Sequence, residues 1–93
     1  MTIDAVMDLV ESLEGTTVVP HFDRLAARTK RRMYLTWPRD GLSVNVLLGD
    51  SDVTGPGLSP LWWGKKRVGL QVDLAGADDA QLEALIRAAW ARK

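Results

Sequence analysis

The chain has no cysteine and only one histidine among its 93 residues. The absence of cysteine excludes disulfide bonds, thiolate metal sites and thiol nucleophiles. No apolar run approaches the roughly 18 residues that span a bilayer, and the first residues lack the basic segment and long apolar stretch of a signal peptide. We therefore expect a cytoplasmic protein without a membrane partner.

The single histidine, His21, leaves little scope for catalysis. Asp23 is close in sequence, but no serine is placed to complete a nucleophile–base arrangement, and one imidazole with scattered carboxylates is a poor zinc site. The glycine–lysine pair at 64–65 lacks the spacing of a phosphate loop, because six residues separate it from Gly57, which is too wide a gap for that motif. We expect no enzyme activity, no catalytic residue, no metal and no cofactor.

Charge, in contrast, is plentiful and segregated. The 12 Lys/Arg and 12 Asp/Glu cancel to a formal net charge of zero. Nine of the cations and three acids lie between Arg24 and Arg67, whereas the first 23 residues carry five acids and no Lys or Arg. This layout predicts a basic face that binds phosphates or acidic partners. The zero total argues against strong non-specific binding to DNA.

Two segments have the apolar spacing of amphipathic helices. The first covers residues 3–14, with Thr2 as its cap and Gly15 as its stop. The second begins at Asp78 or Asp79 and closes the chain. Its apolar stripe consists of Leu82, Leu85, Ile86, Ala89 and Trp90.

Between the helices the apolar period changes to two, which is typical of strands. A basic turn at 30–32 separates the first run from the second, and a turn at 38–41 separates the second from the third. Residues 50–60 are rich in glycine and proline and are expected to form a loop. The predicted strands are 25–29, 33–37, 42–48 and 68–74.

Clean alternation implies a sheet with one buried face and one solvent face. The prediction is a single α+β domain over residues 1–93, in two layers, with an antiparallel sheet of about four to five strands and both helices on one face. The side chains expected on the solvent face are Tyr34, Thr36, Asn45, Leu47 and Gln71.

Two basic triplets, 30–32 and 65–67, carry the clearest functional signal, and the second directly follows Trp62 and Trp63. Cations beside indoles suit nucleic acid, because they neutralise phosphate while aromatic faces stack on bases. The alternative, which we favour for the two tryptophans, makes them core or semi-core anchors and the cations solvated turn residues. The residues expected to contact nucleic acid are Lys30, Arg31, Arg32, Trp63, Lys65, Lys66 and Arg67.

The order of these motifs resembles the MmcQ/YjbR-like family of small bacterial proteins over nearly the whole chain. The resemblance implies a double-wing or secretion-chaperone-like α+β architecture and DNA binding, with no general catalytic site. The chain lacks the family's helix between the third strand and the second basic turn, which favours self-association. The segments that carry the resemblance are 12–15, 20–24, 30–38, 59–60, 63–66, 72–74 and 78–90.

Two functions therefore stay open. The first, preferred by a small margin, is a nucleic-acid-binding or regulatory accessory protein that uses the basic turns. The second is a protein-interaction module or homodimer that uses the solvent face of the sheet or an exposed strand edge.

Overall fold

The computed structural model describes residues 1–92 as two helices and one six-stranded antiparallel sheet. The α+β class is as predicted, but six strands exceed the four to five expected. The strands lie side by side in the order β1-β2-β3-β4-β6-β5. The elements are α1 (Ile3–Ser12), β1 (Thr17–His21), β2 (Arg24–Arg28), β3 (Met33–Pro38), β4 (Ser43–Val46), β5 (Leu58–Trp63), β6 (Lys66–Asp73) and α2 (Asp79–Ala91).

Side-chain caps fix the start of both helices. The Thr2 hydroxyl accepts a hydrogen bond from the Ala5 amide at 3.2 Å, and the Asp78 carboxylate accepts one from the Gln81 amide at 2.9 Å. Each cap satisfies an amide that has no partner within the helix. The first helix ends at Ser12, two residues earlier than residue 14, because Leu13 is already extended.

The two strands that the sequence pattern misses, β1 and β5, are the two edges of the sheet. Each contains a proline, Pro20 in β1 and Pro60 in β5. Proline cannot donate to a strand ladder and is tolerated at an edge, where one side of the strand has no neighbour. The prediction of a loop over 50–60 is therefore wrong at its end, where Leu58 begins β5.

Both helices share one buried cluster with alternate residues of the strands. The helices contribute Val6, Val10, Leu82 and Ile86, among others, so they cover the same face of the sheet. We call the other face helix-free. From the strands, the cluster includes Leu35, Trp37, Val44, Val46, Leu70 and Val72.

Tyr34, expected on the solvent face, is instead fully buried in this cluster. Across the strand, Leu35 pairs with Ala27, but the next pair joins Met33 to Arg28. Tyr34 is therefore the extra residue of a β-bulge, which breaks the alternation of side chains. Its hydroxyl forms a hydrogen bond of 2.8 Å with the Thr16 hydroxyl. Simple alternation cannot foresee such a local shift.

Two further residues expected on the solvent face are also buried. Thr36 does lie on the helix-free side of β3, but it is only 2% exposed because it forms part of the floor of a cleft. Leu47, just after β4, is buried among residues of neighbouring strands. Gln71 is exposed and Asn45 half-buried, as a partly solvated face requires. Within residues 1–92, neither helix combines the length and apolarity needed to cross a bilayer.

Candidate nucleic-acid interface

The two basic turns lie at the same end of the sheet. In the antiparallel order, β2, β4 and β5 all run toward this end, and β3 and β6 start from it. The turns after β2 and β5 therefore emerge side by side. We call this region the basic end, and its cations are Lys30, Arg31, Arg32, Lys65, Lys66, Arg67 and Arg92.

The triplets meet directly in a hollow at the basic end, which we call the basic hollow. Arg32 from the first triplet and Lys66 from the second line it together, with Arg92 and Trp63. Lys30, Arg31 and Lys65 are exposed nearby. Within the described residues, Arg67 is the one cation of the basic end that forms an ion pair with a carboxylate. The charges of the other cations therefore add to a positive potential, which Glu14 partly offsets because it lines an adjoining hollow with Lys30 and Arg31.

Arg67 differs from the other predicted contacts, because its guanidinium is already engaged. Nε donates to the Gly69 carbonyl at 3.0 Å, and Nη2 donates to the Ser51 carbonyl at 2.6 Å. The side chain is 16% exposed, and Nη1 lies 4.0 Å from a carboxylate oxygen of Asp50. The guanidinium carbon also lies 5.9 Å from the centre of the Trp62 ring. Arg67 thus holds a loop and an indole in place.

The interpretation of Trp62 and Trp63 as core anchors is wrong. Their side chains are 55% and 52% exposed, whereas Trp37 fills the core. Both exposed indoles follow a register shift after Leu61, near the end of an edge strand. At that position no helix covers them. Trp90 is half-buried, and its Nε1 donates a hydrogen bond to the Glu14 carbonyl at 2.9 Å.

A second hollow lies on the helix-free face, between the β1–β2 turn and the end of β5. It has a volume of about 270 Å³. We call it the Phe22–Trp63 cleft. Its lining consists of His21, Phe22, Asp23, Arg24, Thr36, Asn45 and Trp63.

Phe22 combines two unfavourable features at the tip of the β1–β2 turn. Its side chain is 89% exposed, and its backbone has a φ of 56°. A left-handed conformation costs a residue with a β-carbon roughly 1–2 kcal/mol, which is why such turns usually carry glycine or asparagine. The ring touches the His21 imidazole edge-on, with 4.8 Å between their centres. The fold gains little from this phenylalanine, so a role in binding is a reasonable hypothesis.

Sequence reasoning named the cations of the site but not the cleft. No strand is predicted before residue 25, so the β1–β2 hairpin and the position of Phe22 at its tip are missed. The available signal was a two-residue connection between short runs that both contain apolar residues. Among residues 1–92, no three His, Asp or Glu side chains are grouped so that they could hold a metal ion.

Comparisons with protein-family models, with curated proteins and with solved structures found no match for this chain. The MmcQ/YjbR-like resemblance accordingly stays a prediction that depends on the order of motifs.

Proposed function

We propose that this protein binds nucleic acid through its basic end. Lys30, Arg31, Arg32, Lys65 and Lys66 contact phosphates, and Trp63 stacks on a base. The observation that carries the proposal is the meeting of Arg32 and Lys66 in one hollow beside an exposed indole. Arg67 is among the predicted contacts, but its Nε and Nη2 already donate to the carbonyls of Gly69 and Ser51. Arg67 therefore stabilises the site and does not contact the phosphates.

Two acids do reach the basic end, because Glu14 lines a hollow there with Lys30 and Arg31, and Asp50 lies 4.0 Å from Arg67. The cations of the basic end outnumber them, so the zero net charge is compatible with this function.

The acids of α1, Asp4, Asp8 and Glu11, are exposed on a helix that packs against the far side of the core from the cleft. Interactions between exposed charges fade over roughly 8–10 Å at physiological salt. The local potential of the basic end therefore matters more than the sum over the molecule.

DNA binding is also what the MmcQ/YjbR-like resemblance implies. The cytoplasmic location expected from the sequence belongs to this proposal too. The alternative, a protein-interaction module or homodimer, has less support. This function is expected to use the solvent face of the sheet, but three residues expected on that face, Tyr34, Thr36 and Leu47, are buried. Both edge strands carry a proline that hinders pairing with another strand.

The test is a fluorescence anisotropy titration of labelled DNA and RNA oligonucleotides over a range of salt concentrations. The double variant Lys65→Gln/Lys66→Gln removes two cations from the basic end. The matched control Arg39→Gln/Arg87→Gln removes two cations elsewhere, one on the β3–β4 turn and one on α2. Both variants have the same net charge.

We expect the first variant to bind more weakly and to lose about two units of the log–log salt slope, about one per phosphate contact. The control variant should retain both affinity and slope. Undetectable binding to DNA and RNA at low salt would overturn the proposal. An equal loss in both variants would show that net charge, and not the basic end, governs binding.

A further inference from the structure

We propose that the nucleic acid bound here is single-stranded, and that one unpaired base lodges in the Phe22–Trp63 cleft. This inference rests on the proposed function and specifies its ligand. The base would stack on the exposed ring of Trp63, with Phe22 at the opposite wall and Arg24 and Asn45 supplying polar contacts.

The two hollows are joined at Trp63. Trp63 lines the basic hollow together with Arg32 and Lys66, and it also lines the cleft on the helix-free face. A strand whose phosphates follow the cations therefore reaches the cleft directly past this indole. No other side chain of the described residues belongs to both hollows.

The surface of the cleft suits an unpaired base. Two aromatic rings, Phe22 and Trp63, stand more than half exposed beside cations. Aromatic rings of this kind bind the faces of unpaired bases, and every base has such a face. In a duplex these faces are covered by neighbouring base pairs, so the rings would find nothing to stack on.

The side chain of Arg24 lines the cleft. Its Nε is buried and has no hydrogen-bond partner within residues 1–92. Buried donors without a partner are rare in folded proteins and call for an explanation. Because this Nε has almost no accessible surface, an acceptor brought by a ligand, such as a phosphate oxygen or a base carbonyl, would reach it once the Arg24 side chain turns toward the cleft.

The remaining polar groups of the cleft suit a base edge. The Asn45 amide is half-buried there and offers both donors and an acceptor. Asp23 is the one acid in the lining, and it is exposed at the turn. The volume of about 270 Å³ is below the roughly 300–1,000 Å³ of ordinary small-molecule pockets. The cleft is therefore matched to one base rather than to a larger ligand.

The experiment compares a single-stranded oligothymidylate of about 12 nucleotides, within the roughly 4–16 that known single-strand sites cover, with a duplex of equal length. Phe22→Gly is the principal variant. Glycine favours the positive φ of this turn, so the substitution should not harm folding. Leu42→Gly, at another exposed apolar position in a turn, is the control. Trp63→Ala tests the second ring.

We expect the native protein to bind the single strand more tightly than the duplex. Phe22→Gly and Trp63→Ala should each weaken single-strand binding by about 5- to 150-fold, the range for one lost stacking contact. Leu42→Gly should change neither affinity. A 2-aminopurine probe in the strand should be quenched by the native protein and less so by the two variants.

Two outcomes would overturn this inference and leave phosphate binding by the cations of the basic end standing. One is duplex binding as tight as single-strand binding. The other is unchanged single-strand affinity in Phe22→Gly and Trp63→Ala while Lys65→Gln/Lys66→Gln still weakens it. A native protein that binds neither probe at low salt would instead remove both proposals together.

Discussion

The guanidinium of Arg67 bridges two separate parts of the backbone, from Gly69 in its own strand to Ser51 in the loop after β4. This loop, which extends to β5, has no regular structure. Since the loop precedes β5, the clasp also fixes the strand that carries Trp62 and Trp63. A residue predicted to touch nucleic acid thus acts on the site through the fold.

Replacing Arg67 by lysine should therefore destabilise the protein. The positive charge remains, but lysine cannot reproduce the forked donors that satisfy both carbonyls. We expect a loss of about 1–3 kcal/mol in the free energy of unfolding, measured by urea denaturation. Arg87→Lys, at an exposed position of α2, should lower the free energy of unfolding by less than about 0.5 kcal/mol. Equal stability of the two variants would contradict the clasp.

Gly69 should tolerate no side chain at all. A β-carbon built there would lie 1.9 Å from the carbonyl oxygen of Val46 and 2.9 Å from the amide nitrogen of Leu48. These are backbone atoms of the neighbouring segment, so relief requires the sheet itself to open. Gly69→Ala should cost about 3 kcal/mol or more, at the upper end of overpacking effects.

Gly64 provides the matched control for that substitution. It has a φ of +63°, but a β-carbon added there would meet no atom within 4 Å beyond its chain neighbours. Gly64→Ala should therefore cost only the roughly 1–2 kcal/mol of the left-handed conformation. If thermal denaturation gives both variants the same loss, close packing against Val46 is not what requires glycine at position 69.

The sequence predicts the parts of this fold that depend on local pattern, and these are the helices and the strands β2, β3, β4 and β6. It fails where tertiary context decides. Pro60 falls within the loop predicted for residues 50–60, and no strand is predicted around Pro20. An edge strand accepts both prolines because one side of the strand is unpaired. The bulge at Tyr34 needs a partner strand before it exists.

The candidate site divides in the same way. The cations of residues 30–32 and 65–67 are visible in the sequence, but their convergence depends on β5 pairing with β6 outside β4. The exposure of Trp62 and Trp63 depends on the position of β5 at an edge. The cleft depends on the approach of Phe22 to Trp63, two residues far apart in the chain. No local pattern contains that information.

Tyr34 should make stability depend on pH in the alkaline range. Burial raises the pKa of the Tyr34 phenol, and the hydrogen bond with Thr16 offsets part of that rise. The folded protein thus retains the phenolic proton at a pH where the unfolded chain, with a pKa of about 10, has lost it. Stability should fall as the pH rises above about 10, until the folded pKa is passed.

Tyr34→Phe provides the comparison. It removes the titrating group and should flatten the part of the pH dependence that belongs to this residue, at a cost of about 1 kcal/mol near neutral pH from the lost hydrogen bond. Since Tyr34 is the only tyrosine, the absorbance of its phenolate reports the folded pKa directly. A midpoint below 10, or identical alkaline slopes for both proteins, would refute the assignment.

The edge prolines should protect the protein from self-association. Pro60→Thr and Pro20→Thr each restore a backbone N–H and place a β-branched residue in an edge strand, which favours pairing with another copy. We expect light scattering to detect dimers or larger species of these variants at concentrations where the native protein is monomeric. Pro56→Thr, in the exposed loop before β5, should remain monomeric. The native protein could already associate while these variants associate no further. In that case the strand edges are not where copies meet. The face lined by Phe22 and Trp63 would then be the surface to test for a homodimer.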